Sequence, residues 1–130
     1  MLFSNSCLSQ WYGAFKGQEN GQFWWGWESL AIALAGFGPP EPPIHFNCAE
    51  QAMMWAKAQI FEDYETSAKI MKEKHPADQK ALGRKVKNYD DAKWNRHRFN
   101  IVASITAAKF EQNPELKEIL TKDLKNYIIA

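Results

Sequence analysis

The chain has 130 residues, with 16 Lys and Arg against 15 Asp and Glu, a formal net charge of +1, 45% hydrophobic residues and 14% aromatic residues. That length suits one domain, the apolar content excludes a disordered chain, and the near-neutral balance excludes a nonspecific nucleic-acid binder that works by bulk charge. Cys7 and Cys48 show no metal-ligand spacing and no secretory leader precedes them, so a cytoplasmic or nuclear protein with reduced thiols is expected, the cytoplasm being the default.

Residues 1–28, rich in Gly, Ser, Asn and aromatics without helical period, read as loops and short strands. Residues 29–35 suit either a short helix or a buried strand. The apolar run ending at Gly38 is far shorter than the roughly 20 residues that span a bilayer, so no membrane partner is expected. Pro39-Pro40-Glu41-Pro42-Pro43 predicts a stiff, extended segment leading to His45. From residue 47 onward the pattern is helical. Asn47 as N-cap, with Glu50 three positions later in a capping box, predicts a helix over 48–60. Asp63 caps a second over 64–74, with Tyr64, Ala68 and Met71 on its apolar face, and Pro76 starts a third that Gly83 ends. Asp90 opens a longer helix over 91–110, in which Trp94, Ile101, Ile105 and Ala108 recur at helical spacing with Arg98 on the same face. Asn113-Pro114 starts a last helix through Leu120, and residues 126–130 are β-prone.

Glu50 and Lys57 are seven residues apart, two helical turns, which places their Cα atoms about 10.5 Å apart on one face. Met53 and Met54 lie between them. A lysine beside apolar walls has its ammonium disfavoured, so its amine becomes a nucleophile toward an aldehyde or a ribosyl anomeric carbon, with the carboxylate as acid or base. The same residues suit a plainer role, Glu50 capping its helix and Lys57 reaching to solvent. Trp94 and Arg98, at i and i+4, offer a flat ring and a phosphate-binding group, to which Arg84 can add; core packing and solvation are the alternative. His45, His75 and His97 form no ligand pattern, so no metal is expected. Dinucleotide, P-loop and serine-hydrolase motifs are all missing from the sequence.

The run from Phe46 through Asn47-Cys48-Ala49-Glu50-Gln51 to Met53-Met54-Trp55-Ala56-Lys57-Ala58, then Phe61-Glu62-Asp63, resembles the central signature of the NAD- and ADP-ribose-associated (NADAR, YbiA-like) family. Leu82-Gly83-Arg84-Lys85-Val86, Trp94 through Arg98, and Ala108-Lys109-Phe110 with Gln112-Asn113-Pro114 follow in the family's order. Leu8-Ser9-Gln10-Trp11-Tyr12 is similar to its N-terminal element. The resemblance implies a mainly α fold, a helical orthogonal bundle with a few short strands, in a single domain over 1–130. It implies an N-glycosidase that cleaves a ribose C1–N bond and needs no cofactor. The substrates implied are phosphoribosylamino-pyrimidine riboflavin intermediates or ADP-ribosylated guanine, the latter also within nucleic acid. By position, Lys57 would be the Schiff-base amine and Glu50 the acid/base. Ser9, Gln10, Trp11 and Trp94 would line the pocket, with Arg84 and Arg98 toward phosphate.

Two departures from the family stand out. The aromatic, proline-rich stretch at about 18–43 reads as an insertion, which either covers the pocket or packs on its surface. The family's Glu-Ala-Ser-Pro…Trp-Gly-x-Gly segment has no counterpart after Thr121-Lys122. A nucleotide or ADP-ribose binding module with weak or no catalysis is therefore the alternative. A structural interaction domain that exposes the Trp-rich stretch is a third reading.

Overall fold

The computed structural model describes residues 13, 18, 21–38, 40–115 and 118. In chain order they form β1 (Phe23–Trp25), α1 (Trp27–Ala35), β2 (Ile44–Phe46), α2 (Ala49–Ile60), α3 (Tyr64–Lys72), α4 (Pro76–Gly83) and α5 (Asp91–Gln112). The fold is mainly α, as expected. Helix α2 buries nine of its 12 residues, so it needs neighbours on nearly every side. Helices α3, α4 and α5 and strand β2 supply them, while α1 packs on α5 and β1.

The two strands pair antiparallel, Phe23 opposite Phe46 and Trp25 opposite Ile44. Their inner face carries Phe23, Trp25 and Phe46 into the core, where Trp25 and Phe46 meet Trp55 of α2 edge-on at 6.0 and 5.6 Å. The outer edge of β1 is closed by a side chain rather than by a strand. Gln112 of α5 accepts from the Trp24 N–H at 2.6 Å and donates to the Trp24 carbonyl at 2.7 Å. Residues 29–35, open between helix and strand in the sequence, lie in α1, which ends at Gly36 with φ +85° in the left-handed region. The Trp-rich stretch divides: Trp25 is core, whereas Trp24 and Trp27 are exposed. The last predicted helix is helical at Pro114 and Glu115; most of it, and residues 126–130, lie outside the described residues.

Three of the predicted helix starts form as drawn: Asp63 caps α3, Pro76 begins α4 and Asp90 caps α5. Two other expectations fail. Cys48, not Asn47, is the N-cap of α2, and its side chain makes no cap bond. The buried face of α3 is Thr66, Ser67 and Ile70, while Tyr64 and Ala68 face solvent and Met71 is half-buried. Those polar residues tolerate burial because they are hydrogen-bonded: Thr66 Oγ1 donates to Asp63 Oδ2 at 2.7 Å and Ser67 Oγ accepts from Gln59 Nε2 at 2.6 Å.

Two local features bring α4 and the following turn up to α2. Gly83 lies against Met54, and a Cβ there would displace the Met54 thioether, so glycine lets α4 come this close with that side chain where it is. Asp63 ties the 87–89 turn down, since its Oδ2 accepts from the Lys87 N–H at 2.9 Å while Oδ1 accepts from the Thr66 N–H at 3.1 Å. The bond from Lys87, then those from Thr66, hold the Asp63 carboxyl below the usual aspartate range.

Because that depressed value belongs to the folded state, Asp63 contributes stability above the ordinary aspartate range and loses it as pH falls through the folded value. Asp63→Ala is expected to lower unfolding free energy by about 2 kcal/mol at neutral pH, with the deficit shrinking in acid, measured by urea unfolding across pH. Gly83→Ala sets alanine's better helix propensity, about 1 kcal/mol, against displacement of the Met54 thioether, so the same measurement is expected to show a net change within about 1 kcal/mol of zero.

Candidate active site

Glu50 occupies the first turn of α2 and is 3% exposed. Its predicted capping role falls to its neighbour: Gln51 Oε1 accepts from the Asn47 N–H at 2.8 Å, while Gln51 Nε2 donates to the Ile70 and Glu73 carbonyls at 3.2 and 3.3 Å. Glu50 is thereby released from helix capping. Among the described residues no hydrogen bond or ion pair reaches its carboxylate; the ion pair within 4 Å is Lys69 with Glu65 on α3. Burial pushes the Glu50 carboxyl up, and the charges of Lys80, Arg84 and Lys57 pull it back down.

Lys57 lies on the same face of α2, half-buried. Burial lowers the pKa of its ammonium, the Arg84 guanidinium acts in the same direction, and Glu50 opposes both. Its Nζ stands 4.6 Å from the centre of the Tyr89 ring and 5.9 Å from that of Trp94. Trp94, 6% exposed near the start of α5, therefore forms a wall beside Lys57 as well as part of the core.

Arg84 is the C-cap of α4, delivered to Glu50 and Lys57 by the Gly83 approach. Arg98 is exposed, and its charge is felt at the hydroxyl of Tyr89, the ring beside Lys57, rather than at Glu50 or Lys57 themselves. Ser9, Gln10 and Trp11 lie outside the described residues. Helix α1 lines a cavity of about 320 Å³ through Trp27, Leu30 and Leu34, shared with Ile60, Tyr64 and His97, and among the described residues none of the predicted site residues borders it.

The spacing arguments missed Lys80 and Tyr89. Lys80 had a signal, since it precedes Arg84 by four residues, one helical turn along the same face. Tyr89 had only the hint of an aromatic in a turn between a helix stop and a helix cap. Cys48 is not a rival nucleophile: burial pushes its thiol up to about 12, and its Sγ donates to Gln79 Oε1 at 3.3 Å. Among the described residues no three His, Cys, Asp or Glu side chains group to hold a metal, and no helix is long and apolar enough to cross a membrane.

The buried pair on α2, flanked by Lys80 and Arg84, can present an amine and a carboxyl to one electrophilic carbon in a positively charged setting. N-glycosidase R617 of Acanthamoeba polyphaga mimivirus is 42% identical over 83 residues, 63% of this chain and 49% of that protein. Protein irg-1 of Caenorhabditis elegans is 30% identical over 82 residues, 62% of this chain and 39% of that protein. The chain thus spans less than half the length of either relative. No solved structure matches it. The NADAR domain family model matches residues 3–130, and on that near-complete match the chain belongs to the NADAR family.

Proposed function

We propose that the chain is an N-glycosidase domain that hydrolyses the C1–N bond of a phosphorylated ribosylamine or ADP-ribosyl substrate. The observation that carries this reading is Glu50, a residue 3% exposed whose carboxyl meets no hydrogen-bond donor among the described residues, with Lys57, Lys80 and Arg84 acting on it. Three cations around one carboxylate leave excess positive charge, which suits a substrate bearing phosphate. Family membership and the relative named as an N-glycosidase support the reaction class.

In the proposed reaction, Glu50 in its protonated form delivers a proton to the ribose ring oxygen, and the C1–O bond opens to an iminium between C1 and the base nitrogen. Neutral Lys57 adds its lone pair to C1. A proton passes to the heterocycle nitrogen, the C1–N bond breaks, and the base leaves while a C1–Lys57 iminium remains. Water adds at C1, the C1–Nζ bond breaks, and the open-chain sugar departs with Lys57 and Glu50 restored. The upward push of burial on Glu50 and the downward push on Lys57 both favour these starting forms. Two substrate classes fit this chemistry, the phosphoribosylamino-pyrimidines of riboflavin synthesis and ADP-ribosylated guanine, free or in nucleic acid.

Incubation with each substrate class followed by borohydride should add the sugar's mass to Lys57. Lys57→Ala is expected to abolish the adduct, and Glu50→Gln to slow it by roughly 100-fold or more. Saturable ADP-ribose binding with neither adduct nor released base would make the chain a binding module and sink the glycosidase reading. The adduct should form at lower pH than is usual for a lysine amine, because burial frees Lys57 of its proton earlier.

A further inference from the structure

Lys57 has four rotatable side-chain bonds, no ion-pair partner within 4 Å among the described residues, and a repelling guanidinium at Arg84. Something else must keep its amine near Glu50 rather than in water. The ring of Tyr89 stands 4.6 Å from Nζ and is itself fixed from three sides. Its hydroxyl donates to Asp91 Oδ1 at 2.7 Å, its ring packs on Phe61 at 5.4 Å, and Lys87 two residues earlier is tied to Asp63. Between them Asn88 takes φ +62°, the left-handed conformation asparagine tolerates, which turns the chain toward Lys57. Yet Tyr89 is 42% exposed, so core packing alone does not account for it.

We propose that Tyr89 is a positioning residue for Lys57: its ring face, with Trp94 behind, seats the ammonium and holds Nζ beside Glu50. The π face attracts the charged amine and so opposes burial. The other charges facing this seat are Glu50 from α2, Arg84 at the end of α4, and Asp90, Asp91 and Arg98 at and within α5, which face the Tyr89 hydroxyl; Lys80 acts through Glu50, and Lys93 lies over Phe61 at 5.6 Å. The catalytic side of this inference rests on the Schiff-base reading above, but the seat itself does not.

The test compares Tyr89→Leu, which keeps apolar bulk and removes the π face, with Tyr89→Phe, which keeps the ring. Each full-length variant is reductively methylated with formaldehyde and cyanoborohydride across a pH series, and the modification is read at each lysine by peptide mass spectrometry. Wild type and Tyr89→Phe are expected to share one profile at Lys57. Tyr89→Leu should move its midpoint to lower pH and speed labelling about threefold at neutral pH, with exposed Lys72 unchanged. In turnover of a ribosylamine, Tyr89→Leu should lose roughly tenfold in kcat with KM little altered, and Tyr89→Phe should recover it. A Lys57 profile unmoved by Tyr89→Leu, or one accelerated equally at every lysine, overturns the proposal. A shift confined to Lys57 with no C1–N cleavage in any variant upholds the seat and removes the glycosidase reading instead.

Discussion

A carboxyl carried into the interior loses hydration at a cost, and in this protein it sits on α2, the helix against which α3, α4, α5 and β2 pack. Glu50 lies in the first turn of α2, whose burial on nearly every side leaves it 3% exposed. The partial positive charge of the helix N-terminus and the cations at Lys57, Lys80 and Arg84 offset part of the desolvation. Among the described residues none of these cations stands within 4 Å of its oxygens. An ordinary core would put an apolar residue there, and local violations of that kind concentrate at functional positions. Helix α4 brings two of those cations, with Gly83 packed against Met54 of the same helix as Glu50.

Much of the helical half could be read from residue types alone, because its boundaries are set by local chemistry. Asp63, Asp90 and Pro76 start helices through one or two bonds to nearby backbone or through a fixed φ, and such signals survive any tertiary context. The start of α2 is different. Asn47 and Glu50 have the right types and spacing for a capping box, but tertiary competition decides between them. Asn47 Nδ2 is drawn to the Lys74 carbonyl at 2.7 Å, and Gln51 closes back on the Asn47 N–H. The face of α3 was misjudged for a related reason. Hydropathy favours Tyr64 and Ala68 as buried, whereas satisfied hydroxyls at Thr66 and Ser67 pack inward at little cost.

The candidate site was readable to the extent that it lies on one helix. Glu50 and Lys57 follow from a two-turn spacing, and Arg84 follows from its place at a helix stop. Arg98 has equally good spacing from Trp94, yet it points to solvent, since spacing along α5 places a residue on a face without saying what that face meets. Tyr89 was invisible for the opposite reason. Its position depends on Asn88 adopting a left-handed turn, on Asp63, more than 20 residues earlier, holding Lys87 before that turn, and on Asp91 holding the Tyr89 hydroxyl after it. No pattern in the local sequence encodes that combination.

The aromatic surplus then acquires two distinct physical uses. Phe23, Trp25, Phe46 and Trp55 meet edge to face or stacked in a dry cluster, where Trp25 keeps its one polar atom satisfied by donating to Ser104 Oγ at 2.9 Å. This cluster makes the segment around 23–46 part of the support beneath α2, since Phe46 leads directly into its N-terminus. The Gln112 amide closes β1 against further pairing, which fixes the end of α5 to the same support. Trp94 and Tyr89 serve the other use, presenting rings to a cation that burial disfavours. An aliphatic wall would bury Lys57 equally well but would offer its ammonium nothing in return. Aromatic rings therefore allow one side chain to be both desolvated and retained, which an amine poised beside a buried carboxyl requires.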